Sequence, residues 1–258
     1  MKYMITGAEP RSESPDAAEI NRRVRYHQKK LDDLLRERLR AGKPGLAFVS
    51  VGLGREAVTV ENRGGEHLRI DGPFPETKEL VGGFNVMEFE SQAEAIAFTK
   101  DEHLHRSHVG EVRPIREFWW ISQSMGQAAS KIYALMFVED ERVVLSLPES
   151  ERTQIMRQHQ AVGAEYVTSR GMLDQNPGLW VGARLAVSSE AKTIRWNNDV
   201  RQVTDGPFAE TKEVVGGFNL IACASIDEAI AWANKLAARD GDAIEIRPVD
   251  GCWWIYHE

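Results

Sequence analysis

The amino-acid sequence predicts an α+β protein in which one β-α-β-β-α-β unit is written twice in tandem. Three observations carry this. Residues 71–85 (DGPFPETKELVGGFN) and 205–219 (DGPFAETKEVVGGFN) are identical at 13 of 15 positions. The match continues at an offset of 134: SQAEAIAF at 91–98 faces SIDEAIAW at 225–232, Glu111-x-Arg113-Pro114 faces Glu245-x-Arg247-Pro248, and Trp119-Trp120 faces Trp253-Trp254. Upstream, His27-Gln28 faces His159-Gln160 at an offset of 132. A period this long is a whole hydrophobic core and not a solenoid repeat, so the copies read as two domains, 1–125 and 126–258.

The elements follow in order. Copy two opens with KIYALMFV, an apolar and aromatic run suited to a strand. Pro148 in a Glu-rich first turn then starts a helix that ends by Gly171; in copy one, Ser14-Pro15-Asp16 and Gly42 mark the same limits. Stretches near 45–61 and 179–196 read as a hairpin. After the DGPF loop come strands over 84–89 and 218–224. Ser91-x-x-Glu94 and Ser225-x-x-Glu228 are capping boxes that open the second helices. The last strand runs through EVRP or EIRP to the WW pair, whose adjacent indoles point to opposite faces and require a sheet covered on both sides. The order is that of the ferredoxin-like split βαβ fold. Helices can cover one face, and the sister copy is the simplest cover for the other.

Composition narrows the function classes. The chain has 258 residues, 42% apolar and 28% charged, with a net charge of −7. No apolar run approaches the ~18 residues of a membrane helix, and no secretory leader is expected from the first residues. Cys223 and Cys252 form no zinc or disulfide framework, so a reduced, cytoplasmic protein is expected. Nucleic acid is an unfavoured partner, because the basic stretch 22–40 is interleaved with Asp32, Asp33 and Glu37 at helix-pair spacings. His103, His105 and His108 suggest metal, but side chains two apart at a helix end diverge by ~200°; no metal and no cofactor are expected.

The first-strand Tyr, the helix bearing His, DGPFAETKE, GGF and the final E-[VI]-R-P strand together resemble the YCII-related proteins of the DGPF-motif group, over nearly the whole chain, twice. The resemblance implies a dimeric α+β barrel, here as an intramolecular pseudo-dimer of two ferredoxin-like units packed sheet to sheet. It further implies a His working with an Asp. Where the family carries that Asp, this sequence has Arg40 and Arg170, which leaves Asp71 and Asp205 as substitutes.

The candidate site is read twice. His27 and His159 fall on the inward apolar stripes of their helices, where an imidazole can act as acid or base, or simply bond a backbone carbonyl. In the Asp-Gly-Pro turn, Gly takes φ > 0 and Pro fixes the next φ. Gly82-Gly83 and Gly216-Gly217 admit another backbone or a ligand, with Thr77, Lys78, Thr211 and Lys212 available to hold an anionic or carbonyl group; the same loop could instead dock one copy on the other. The Glu-x-Arg pairs share a strand face and read as ion pairs that hold the fold or the interface. The expectation is a small-molecule-binding protein, an acid–base isomerase or lyase with His159, His27, Asp205 and Asp71 in the chemistry. The alternative is a non-catalytic accessory module, sigma-factor associated by resemblance, docking through the DGPF surface. The ligand is not specified by the sequence, and a further homodimer stays open.

Overall fold

The computed structural model describes residues 1–10, 18, 22, 25, 26, 29, 33, 36–38, 40, 41, 48–53, 56–73, 79–101, 109–121, 131–169, 180–197, 200–208 and 213–255. Among these residues twelve strands form one strongly curled antiparallel sheet with helices outside it. The first half contains β1 (Lys2–Pro10), β2 (Phe48–Leu53), β3 (Val58–Arg63), β4 (Glu66–Asp71), β5 (Glu79–Glu88), α1 (Gln92–Asp101) and β6 (Val109–Ile121). The second contains β7 (Lys131–Asp140), α2 (Glu141–Ser146), α3 (Glu149–Ser169), β8 (Trp180–Leu185), β9 (Lys192–Asn197), β10 (Val200–Asp205), β11 (Glu213–Cys223), α4 (Ile226–Leu236) and β12 (Ala243–Ile255). The described positions between 18 and 40 are all helical.

Strand pairing repeats between the halves. The first has the order β6-β1-β5-β2 and the second β12-β7-β11-β8. The long last strands join them: β12 pairs β2 at its C-terminal end, and β6 pairs β8. Alternation then divides the apolar residues between two faces. Met4, Phe84, Ala134, Met136, Phe218 and Leu220, drawn from both halves, fill one shared core inside the curl. On the outer face, Tyr133, Leu135, Ile221 and Cys223 pack under α3 and α4. Helix α4 buries Ala229, Trp232, Ala233 and Leu236, the i, i+3, i+4, i+7 stripe of an amphipathic helix.

Both capping boxes are present. The Ser91 and Ser225 hydroxyls accept from the backbone N–H of Glu94 and Glu228, whose carboxylates accept from Glu90 N and Ala224 N. Pro148 starts α3 as expected, its carbonyl accepting from Glu151 N and Arg152 N.

Two expectations need correction. The segments near 45–61 and 179–196 are not hairpins: β2 and β8 pair with neighbours distant in sequence, and the hairpins are β3–β4 and β9–β10. Each hairpin docks on the other half, β3 on β12 and β9 on β6. Strand β4 is exposed along its whole length, so it lacks the alternation that marks a strand. The strands expected from Phe84 and Phe218 begin at Glu79 and Glu213, because their glycines lie within the ladder. Register shifts there leave Gly82 and Gly216 as the extra residues of matching β-bulges. Helix α2 was not anticipated; it is a six-residue turn capped by Asp140.

Candidate functional site

A pocket of about 90 Å³ lies between α3 and the outer face of the sheet, lined by the second half and by Trp119 of β6. The elements bring its groups together simply. On α3, Arg152, Ile155, Met156 and His159 recur at helical spacing and line one wall. Outward-facing Phe137 and Glu139 of β7, Arg184 of β8 and Gly217 of β11 form the floor, and Arg239 and Asp242 close one end.

His159 stacks on Phe137 at 5.0 Å between ring centroids. Its ring bonds the Leu236 carbonyl, and burial holds its pKa below the ordinary histidine value despite the nearby Asp242 carboxylate. A neutral imidazole has one N–H and one lone pair. With the N–H given to Leu236, the other nitrogen is a proton acceptor.

Glu139 is shifted the opposite way. Burial pushes its carboxyl pKa up, against the pull of Arg184 and Arg239. The carboxyl lies where a Gly216 Cβ would stand, so the bulge glycine makes room for it. Among the described residues it has no hydrogen-bond partner. Asp242 is engaged, accepting from Arg239 N at 2.9 Å and from its guanidinium at 2.6 Å.

Of the residues expected from sequence, the pocket gathers His159, Gly216 and Gly217. Asp205 and Asp71 lie elsewhere, at the exposed ends of their hairpins, where Asp205 pairs with Lys192 at 2.5 Å and Asp71 with Arg69 at 3.4 Å. His27, Thr77, Lys78, Thr211, Lys212 and the 103–108 histidines fall outside the described residues. Glu139 and Asp242 were missed. Glu139 is the acidic end of an otherwise apolar strand, and its counterpart Glu9 holds the same place beside Gly82, a signal the repeat could have supplied.

The DGPF turn has the expected backbone. Gly72 and Gly206 take φ of 109° and 92°, and their carbonyls accept from Thr59 and Thr193. Phe208 N donates to Glu111 of the first half at 3.0 Å, so this loop is docked across the halves.

A family model described as the YCII-related domain matches residues 1–119 and again 132–251. The chain belongs to the YCII-related family. A second likeness agrees with this: the chain is 38% identical over 120 residues to "Uncharacterized protein R00369" of Rhizobium meliloti (strain 1021), covering 46% of this chain and 91% of that protein. The relative therefore corresponds to about one of the two YCII-related copies. Among the described residues, no three or more His, Cys, Asp or Glu side chains are placed to hold a metal ion, and no helix is long and apolar enough to cross a membrane.

Proposed function

We propose that the second half carries an acid–base site for a small molecule, of isomerase or lyase type, with His159 as base and Glu139 as acid. One observation carries this: a desolvated imidazole with a free lone pair and a desolvated carboxyl line the same pocket, shifted in opposite directions. Near neutrality His159 is ready to take a proton, while the raised Glu139 is closer to giving one than an ordinary carboxylate. The Leu236 carbonyl and the Phe137 ring fix the imidazole, so the base is pre-oriented. Asp205 and Asp71 have no part in this version of the chemistry. His27 with Glu9, and the Thr-Lys pairs of the two loops, are its counterparts or additions in an extended site.

The architecture in this reading is two ferredoxin-like units, 1–125 and 126–258, paired within the chain as a dimeric α+β barrel. The identical strand order of the halves, the reciprocal β12–β2 and β6–β8 pairings and the exchanged hairpins support it. The bond from Phe208 N to Glu111 favours internal docking for the DGPF surface over an outside protein partner.

The test is exchange in D2O. Small carbonyl compounds are incubated with the full chain and deuterium uptake at the carbon beside the carbonyl is followed by NMR. Uptake that His159→Gln abolishes is expected. Equal uptake in that variant, or none with any compound, would sink the reading.

A further inference from the structure

The charges lining the pocket do not balance. Arg152 stands two helical turns before His159, and among the described residues it has no carboxylate partner. Among the described residues, the one carboxylate within ion-pair distance of Arg184 is the half-exposed Glu117 at 3.7 Å, beyond hydrogen-bond reach. Of the two acids in the pocket, Asp242 is bonded to Arg239, and burial drives Glu139 toward its neutral form. The remaining walls are apolar or aromatic: Trp119, Phe137, Ile155, Met156 and Leu236. Two under-compensated guanidiniums beside low-dielectric walls favour an anion.

The duplication shows that the scaffold does not require these cations. In β1, Gly7 pairs Gly83 as Phe137 pairs Gly217, and Glu9 occupies the place of Glu139. In β2, Gly52 pairs Gly83 as Arg184 pairs Gly217, so Arg184 is replaced by glycine in the first half. The offset that aligns His27 with His159 puts Ile20 at the place of Arg152. The first half thus keeps the acid, the His and the paired glycines but lacks both arginines. Residues needed to build the fold would be present in both copies; these behave as a recognition layer added to one.

We infer that the His159 pocket takes a small organic carboxylate, its anionic end held by Arg152 and Arg184 and its apolar remainder lying on Phe137 and Trp119. This rests on the acid–base reading above and names the substrate class for that site. Arginine suits the task because its planar fork bonds both carboxylate oxygens. A short-chain acid is the simplest probe of a pocket this size.

Crotonate and its neutral isostere crotonamide provide the test, titrated into the full chain at pH 7 and low ionic strength, with inorganic phosphate as a third ligand. The readout is the His159 imidazole signal in 1H–15N spectra. Crotonate is expected to shift it and to bind at least about tenfold more tightly than crotonamide or phosphate, since a charge-assisted bond is worth that factor or more. Arg152→Gln and Arg184→Gln should each weaken crotonate roughly tenfold and crotonamide markedly less, while leaving the thermal midpoint unchanged. Equal binding of acid and amide, phosphate binding as tightly as crotonate, or full crotonate affinity in the double variant overturns the inference. Those three outcomes leave the acid–base reading in place, because it makes no demand on ligand charge. Failure of all three ligands to perturb His159 also overturns it, and the D2O exchange then decides separately whether the acid–base site stands.

Discussion

Arg113 donates to the Val215 carbonyl at 2.7 Å, tying the last strand of the first half to the residue just before the bulge in the second. Arg247 makes the reciprocal bond to Val81, before the other bulge. Arg113 also pairs at 2.7 Å with Glu111, both about 95% shielded from solvent, and Glu111 in turn receives Phe208 N. The Glu-x-Arg motif is therefore both an internal ion pair and a clasp between halves.

Breaking that clasp on one side leaves a buried charge without its partner. Arg113→Met should cost about 3–5 kcal/mol in urea unfolding. The double variant Glu111→Leu/Arg113→Met should cost less than the single, because it removes both charges and leaves only neutral backbone groups unpaired. A double variant as unstable as the sum of its singles would count against a coupled buried pair.

Two glycines at the bulges, Gly217 beside one and Gly82 within the other, respond differently to a methyl group. A Cβ on Gly217 would stand 2.5 Å from the Ala183 carbonyl, a backbone atom in the paired strand, whereas on Gly82 the nearest atom is Glu9 Cδ at 3.7 Å, ordinary contact. Gly217→Ala should lose about 3 kcal/mol through overpacking, and Gly82→Ala less than about 1 kcal/mol. Comparable midpoints in chemical denaturation would show that the sheet yields at Ala183.

Gly216 bears on the site more than on the fold, because its missing Cβ is replaced by the Glu139 carboxyl, the movable end of a side chain. Gly216→Ala should push that carboxyl toward solvent. Burial is the main cause of its raised pKa, so the pKa should fall back toward the ordinary carboxylate value. Carboxyl 13C titration reads this directly, and an unchanged curve would mean that Glu139 stays buried.

The repeat, the helix caps and His159 on its inward stripe were legible because each rests on local sequence chemistry: periodicity, a hydroxyl three residues before a glutamate, a proline in a first turn. The exposed hairpin strand β4 was not, since no buried residue alternates along it. Nor was the presence of His159 and Glu139 in one pocket, since they lie on α3 and β7 and only the packing of helix on sheet places both there. Asp205 belongs to the repeated motif, but it lies at an exposed hairpin end, while Gly206 makes the turn and Phe208 N bonds Glu111 of the other half. The register of the strands, not the local pattern, decides which acid faces the pocket.

Asp205 offers a simple contrast. It is 86% exposed and its partner is the Lys192 ammonium at the hairpin end. Asp205→Asn should change stability by no more than about 0.5 kcal/mol, as is usual for surface ion pairs. The D2O exchange attributed to His159 should continue at the wild-type rate. A large loss of exchange with unchanged stability would return Asp205 to the chemistry.

The opposed shifts of His159 and Glu139 give stability a defined pH dependence. His159 titrates lower in the folded chain than unfolded, so the unfolded state binds more protons between the folded pKa and 6.5. Its contribution is complete above 6.5 and is lost as pH falls through the folded value. Glu139 runs the other way: its contribution is full below 4.5 and is lost as pH rises through its raised folded pKa. The two slopes oppose each other, so the wild type alone will not separate them. The difference in urea-unfolding free energy between the wild type and His159→Asn does, because Glu139 is common to both. That difference should grow in favour of the wild type as pH rises toward 6.5, then level off. A difference that stays constant from pH 5 to 8 would mean that His159 is not desolvated, and the base of the proposed site would lose its physical ground.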